Sequence, residues 1–455
     1  MKFTFFGLLI SVFYIQAQTD SIQVPQTLKE VIVSSSRIEI PFNESSRTIQ
    51  IITSEALKAT GAMSVSEALQ QIVGIDIRRR GVAGTQADLY IRGGSFDQTL
   101  LLIDGIKLDD AQTGHHSLNF LPPLETIERI EIIKGPAARV FGQNAFTGAV
   151  NIVTKKDYST KGTAEIGGGS FGQIRAELSL GKRSEKGGIF AHFSRLSSEG
   201  YRYNTDFKNS TAFIQARLAE QGKMPLDILG FFSGRKFGAN GFYASADAKD
   251  QYEETEASLI AVQSKVQKGN WILKPNLYWR RGQDHYLYLR NQPEVYENWH
   301  ITHKVGAGLN SSYTSSWGNT GLGVDLSHVS IASNNLGYRS RQLVTLFMEH
   351  QFILGKRLDL TPGIAVNYYS DFGGFAYPGI DLGFQISTNW TAYANLGYTY
   401  RIPTYTDLYY ADRTTVGNEN LKPEEALATE LGIRYNLSSF RFYAAYFDRR
   451  ADNLI

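Results

Sequence analysis

Arg78, Arg79 and Arg80 stand together, and three adjacent guanidinium groups can bind an anion through paired N–H donors. His115 and His116 offer neighbouring imidazoles, side chains that ligate transition metals or relay protons near neutral pH. Gly167, Gly169 and Gly172 satisfy G-x-G-x-x-G, which cradles a pyrophosphate when it opens a helix. Each pattern also has a plainer reading. Adjacent histidines point in different directions on most backbones, and no His or carboxylate falls at a recognisable ligand spacing, so a solvated loop is expected and no metal. The three glycines lead into an alternating strand and therefore predict a β-turn. The arginine run is by default a charged loop end. No Ser, His and Asp combine in a strand–turn–helix setting. Neither an enzyme nor a bound cofactor is expected.

The composition narrows the class. The 46 basic and 44 acidic residues leave a formal charge of +2, which gives no reason to invoke nucleic acid. The absence of cysteine excludes disulfides, thiolate catalysis and Cys-based metal sites, while secretion stays open. With 25 Tyr, 26 Phe and 43 Gly against 12 Pro, the chain suits β-structure with many turns, including a transmembrane barrel with an apolar outside and a polar lumen. Lys2, the apolar run Phe3 to Ile15 and Ala17 predict a signal peptide over residues 1–17, although Ile15 is large for its position. That run is too short to span a bilayer, and no later stretch reaches the roughly 18 uninterrupted apolar residues of a membrane helix. Any membrane crossing must be made by strands.

Two regions have to position the candidate residues. After a polar lead-in at 18–29, Glu30-Val31-Ile32-Val33-Ser34 is a short β-branched run suited to a free strand. Residues 48–156 read as a compact mixed α/β unit. Ser64 and Glu67 match a capping box, and Val65, Ala68, Leu69 and Ile72 follow at helical spacing up to Gly74. Strands are predicted at 75–77, 88–92, 99–103, 106–108, 129–134 and 149–154, with Asp104-Gly105 as a tight hairpin turn. From about residue 161 the period becomes two. Ile174, Ala176, Leu178 and Leu180 share one face, opposite Arg175, Glu177 and Ser179; Leu431, Ile433 and Tyr435 oppose Glu430, Gly432 and Arg434. The Trp390–Tyr400 segment carries aromatics at both ends of an apolar face, as two interfacial girdles would. A soluble β-sandwich or β-helix is the alternative, but segments of about ten residues exceed the usual soluble strand of about five or six.

Taken in order, the segments of 48–156 resemble the plug domain of TonB-dependent receptors. SVSEALQQIVGIDI, LYIRGG, TLLLIDGIKLDD and IERIEIIKGPAARVFGQNAFTGAVNIVTKK resemble successive plug segments. Phe141 stands where the family often has Tyr, and Thr147-Gly148 where it often has Gly-Gly. LKEVIVSSSR resembles the TonB box, and YRIPTYTDLYY with GNENLKPEEALATELGIRY resembles a late barrel segment. The resemblance implies an α+β plug domain inside an antiparallel transmembrane β-barrel. It implies active uptake of a scarce bulky nutrient, a ferric siderophore or cobalamin, across the outer membrane of a Gram-negative bacterium. The implied partners are TonB with its inner-membrane energising complex, outer-membrane lipid, and the iron chelate or cobalamin. Glu30, Val31, Ile32, Val33 and Ser34 would bind TonB by strand addition. Arg79, Arg80, Thr85 and Gln86 in one loop, and Asp110, Gln112, His115 and His116 in another, would contact the ligand. Arg92 and Arg139 would pair with barrel carboxylates and hold the plug.

Competing expectations are a structural or adhesive barrel without transport, and an uptake receptor for oligosaccharides. The strand count poses a further question. Roughly fifteen strands are legible from residue 161 onward, against the family's barrel of about 22. An open edge in lipid costs on the order of tens of kcal/mol, above the ~5–15 kcal/mol of an ordinary domain. The expectation is an incomplete barrel, about two-thirds of the full one.

Overall fold

The computed structural model describes residues 32–33, 38, 40–41 and 47–455, apart from 82, 83, 157, 244, 356, 438 and 439. The expected signal segment, the lead-in at 18–29 and Glu30, Val31 and Ser34 lie outside the described residues.

The first region is built on a five-stranded sheet in the order Thr48–Thr53, Ile127–Lys134, Gly148–Thr154, Thr99–Ile103, Ile106–Lys107. All neighbours are antiparallel except Thr99–Ile103 with Gly148–Thr154, which run parallel. Leu100 to Ile103 form an unbroken apolar run because both faces of this strand are covered. Leu100 and Leu102 pack with Ile133, Val140 and Phe141, while Leu101 and Ile103 join Ile130, Val150 and Ile152 on the other face. Asp104 and Gly105 adopt φ of 49° and 82°, the pair of positive values a two-residue hairpin turn demands.

Other local signals resolve with small shifts. The helix Val65–Gln70 starts at Ser64, whose hydroxyl accepts from the Glu67 N–H at 3.3 Å. The return half of the expected box differs, because the Glu67 carboxylate accepts from the Met63 N–H at 2.8 Å, one residue early. A strand at Thr48–Thr53, a helix at Ser54–Ala59 and a 3₁₀ segment at Gly114–Phe120 had not been anticipated. GHHSLNF has no apolar period to announce it.

The second region is one antiparallel meander of fifteen strands from Lys161–Gly169 to Phe440–Asp452, with the short Val266–Lys268 paired onto Trp271–Leu287 as a sixteenth. Among the described residues, the first and last strands have one neighbour each. Gly172, at φ 62°, lies in the turn between the strands Lys161–Gly169 and Gln173–Ser184, so the glycine pattern is a β-turn. Most strands exceed the expected length of about ten; Glu297–Ser315 has 19 residues and Gly337–Leu354 has 18. At about 3.4 Å per residue, even tilted, these outrun a hydrocarbon layer of about 30 Å and carry the wall beyond it.

The wall is inverted relative to a soluble protein. Leu178, Ile214, Ile260, Leu309, Leu346 and Leu431 are exposed, while Gln215, Thr302, Asn367, Asn395 and Glu430 on alternate positions are buried. A sandwich would put the apolar residues inside; a lipid-facing wall puts them outside. The lumen is filled by the first region. Phe213, Leu229, Phe231 and Leu259 of the wall belong to the same packed cluster as Leu69, Leu118 and Ile152 of the plug. None of the helices among the described residues is long and apolar enough to cross a membrane.

Candidate functional site

Plug and wall meet along two arcs. In the first, the plug supplies cations and the wall carboxylates. Arg139, on the short helix Ala138–Phe141, places Nη2 at 2.6 Å from Asp381 and 3.5 Å from Glu349. Arg47 donates from Nε to the same Asp381 at 2.5 Å. Arg92, held at φ 49° just after the strand Ala87–Ile91, pairs with Glu430, and its guanidinium lies 4.4 Å from the Phe447 ring centre. Thr48 also donates to Glu430 and lies 2.6 Å from the Tyr393 hydroxyl. Burial, together with the charge of Arg47, lowers the Arg139 pKa from its ordinary value.

In the second arc the polarity is reversed. Asp109 accepts two bonds from Lys304 Nζ, at 2.7 and 2.8 Å. Asp110 accepts from Arg280 at 3.0 Å and from Thr302 at 3.3 Å, while Arg280 also donates to the Leu108 carbonyl at 2.8 Å. Burial favours the neutral form of Asp109, but Lys304, Arg280 and Lys107 together outweigh it and hold the carboxyl well below the usual range. His116 lies 3.4 Å from Asp284, a plug cation beside a wall carboxylate and so an exception to the reversed sense of this arc. Burial alone would lower the His116 imidazole; the charge and hydrogen bond of Asp284 prevail and raise it to about 9. Back among the strands of the first arc, the plug's Asp97 sits 3.8 Å from Arg401 of the wall strand Trp390–Arg401, an inverted pair in which burial prevails, pushing the carboxyl up to about 6.

The eight residues expected to meet a ligand do not form one surface. Arg79 turns back to Glu67 at 3.2 Å. Thr85, Gln86, Asp110 and Gln112 are buried. Gln86 donates to the His115 carbonyl at 2.7 Å, and Gln112 reaches Asp284 at 3.4 Å. Arg80 donates to the Phe242 carbonyl at 2.5 Å and lies 5.3 Å from the Tyr243 ring centre. His115 stacks on Phe96 at 3.8 Å and bonds Asp88 at 2.7 Å. Beside Arg80, strand ends and inter-strand loops of the wall bring aromatics together. Tyr243 meets Tyr286 edge-on at 5.4 Å, Tyr286 meets Tyr296 at 6.5 Å, and the Tyr296 and Tyr410 hydroxyls are 2.8 Å apart. Tyr410 follows the short helix Tyr405–Tyr409, which Thr404 and Asp407 cap reciprocally. None of these tyrosines was singled out as a contact from sequence, since the loops between strands carry no period and no fixed spacing.

The TonB-dependent receptor plug domain family matches residues 41–149, and the family of TonB-dependent receptor-like β-barrels matches residues 158–455. The chain is a TonB-dependent receptor. The receptor is 26% identical over 470 residues to the vitamin B12 transporter BtuB of Vibrio vulnificus strain CMCP6, covering 99% of this chain and 74% of that one. It is 23% identical over 457 residues to the BtuB of Vibrio cholerae El Tor Inaba N16961, covering 94% and 71%. Among solved structures it is similar to a ferric enterobactin receptor (PfeA) mutant from Pseudomonas aeruginosa, with TM-score 0.74 at 16% identity over 93% of this chain and 73% of that one. The siderophore receptor PirA from the same organism gives TM-score 0.70 at 20% identity, covering 89% and 75%. At these identities the structures speak for the fold alone. The family is one of receptors and not of enzymes.

In this receptor, Ile32–Val33 pairs antiparallel with Ile40–Pro41, so that part of the segment expected as a free strand has a backbone partner. Arg47 had no sequence signal. It precedes the first plug strand as an isolated charge, and only the fold brings it to Asp381.

Proposed function

We propose that this receptor takes up a scarce bulky nutrient, a corrinoid or a ferric chelate, across the outer membrane, with TonB supplying the work. The observation that carries this reading is the plug itself, held against the inner face of a lipid-facing wall by buried ion pairs. Breaking one partner out of a buried pair costs about 3–5 kcal/mol, so ligand arrival alone does not clear the path. The Thr48–Thr53 strand is an edge of the plug sheet, and Arg47 and Thr48 at its start hold Asp381 and Glu430. Tension on the preceding segment, Glu30 to Ser34, acts first on those contacts. TonB grips that segment by strand addition, which also requires Ile32–Val33 to leave Ile40–Pro41. The ligand lands on Arg80, His115 and the tyrosines around them, where stacking and cation contacts suit a planar or catecholate ligand. The names of the relatives, vitamin B12 transporters and siderophore receptors, support these two ligand classes.

The test is Ile32→Pro in the full chain, in cells given labelled cyanocobalamin or a labelled ferric catecholate. Surface binding of one ligand should persist while its uptake is lost. Undiminished uptake by the variant removes the TonB assignment.

A further inference from the structure

We propose that Glu125, Glu177 and His192 form a divalent-cation site that staples the plug to the barrel wall, away from both ionic arcs. Glu125 lies on the plug, in the turn Leu124–Thr126; Glu177 and His192 lie on the adjacent wall strands Gln173–Ser184 and Gly187–Ser198. One ligand atom from each falls within 4.8 Å of the others. His192 is 3% exposed, and its Nε2 has no hydrogen-bond partner among the described residues. A buried imidazole nitrogen left unpaired is costly unless something fills its lone pair.

The other ring nitrogen is already engaged. Ser179 is the register partner of His192, and its hydroxyl lies 2.8 Å from Nδ1. When Nδ1–H donates to that hydroxyl, Nε2 keeps its lone pair and faces the carboxylates, the arrangement typical of a metal-bound histidine. Arg175 occupies one oxygen of Glu177 at 2.8 Å and leaves the second to give. Glu165, directly opposite Glu177 across the ladder, adds a further carboxylate on the same face and offsets the arginine charge. A cavity of ≈ 140 Å³ borders Glu125 and Glu177, with Arg175 and Arg235 also on its lining.

One imidazole nitrogen with carboxylate oxygens favours a first-row divalent ion such as Zn²⁺ over the oxygen-only preference of Ca²⁺ or Mg²⁺. Tetrahedral Zn²⁺ holds its ligand atoms about 3.4 Å apart, so atoms separated by up to 4.8 Å must draw in by as much as about 1.4 Å. Glu125, partly exposed on its turn, has the free torsions to do so. The three residues come from three separate segments, so no sequence spacing announces them.

The experiment strips the full-length receptor in detergent with a chelator and titrates it with Zn²⁺ against a chromogenic competitor. Metal content is read by mass spectrometry, and plug melting is followed by hydrogen exchange. One Zn²⁺ per chain is expected, with a higher plug melting temperature. Glu125→Gln and His192→Gln should each weaken binding at least tenfold and abolish the shift, while His328→Gln on the wall leaves both unchanged. If His192→Gln does not fold, Glu125→Gln decides. Undiminished Zn²⁺ binding in Glu125→Gln, no bound Zn²⁺ in the parent chain, or tighter binding of Ca²⁺ than of Zn²⁺ would overturn the proposal.

Discussion

The two arcs hold one plug with opposite polarity. Where the wall offers Glu349, Asp381 and Glu430, the plug presents Arg47, Arg139 and Arg92; where the wall offers Arg280 and Lys304, the plug presents Asp110 and Asp109. Buried ion pairs are close to break-even against apolar packing, so their main return is specificity. Rotating the plug within the wall would bring Arg139 or Arg92 toward Arg280 or Lys304, so these pairs favour the azimuth the plug adopts. The arcs also differ in completeness. Arg47 Nη2, Arg139 Nε and Glu349 Oε1 are buried without a hydrogen-bond partner among the described residues, against Asp284 Oδ1 in the second arc, where Asp109 and Lys304 make two full bonds. The arc beside the N-terminal segment is therefore the less satisfied one, and the one suited to open first.

The largest effect should come from removing the carboxylate that two arginines share. Asp381→Ala leaves Arg47 and Arg139 buried with Glu349 and the more distant Asp359 as remaining carboxylates, and should cost about 3–5 kcal/mol of plug stability. Native-state hydrogen exchange at the Leu100–Ile103 amides would read it; tryptophan emission would not, because all 5 tryptophans lie in the wall. A loss under 1 kcal/mol would mean that the first arc is not a lock at all.

The second arc should respond to pH. His116 is raised from 6.5 to about 9 by Asp284. Its contribution is therefore complete below pH 6.5 and is lost as pH rises through about 9. A shift of this size corresponds to roughly 3 kcal/mol. Plug protection should fall between pH 7 and 10, and His116→Gln should flatten that fall. A profile unchanged by the substitution would assign the pH dependence to other groups.

What the sequence made legible follows from how local each signal is. The Asp104-Gly105 turn, the Ser64 cap and the alternation around Leu178 are decided by a few neighbouring residues, and each formed where expected. The extra length of Glu297–Ser315 was not legible, since polar residues such as Ser311 at outward-facing positions interrupt the two-residue pattern while the ladder continues. Site residues fared differently again. Asp110 and Gln112 have the chemistry of ligand contacts, and in the fold they also meet the wall partners Arg280 and Asp284. Nothing in the local chain distinguishes a polar side chain that meets solvent from one that meets Arg280.

The smallest effect tests whether polarity or burial matters more. Lys107 of the plug pairs with Asp325 at 3.3 Å, on the strand Gly318–Ser333 that separates the two arcs. Its sense, cation on the plug and carboxylate on the wall, is that of the first arc. Its burial is not: the side chains are 15% and 23% exposed, against 4% and 6% for Arg139 and Asp381. Water screens the attraction and solvates whichever partner is left behind, so breaking the pair should cost at most about 1 kcal/mol. Asp325→Asn, nearly isosteric, should therefore leave plug exchange rates within about fivefold of the parent. If it instead matched Asp381→Ala, charge sign alone would set the hold on the plug, and the contrast drawn between satisfied and unsatisfied arcs would have no energetic meaning.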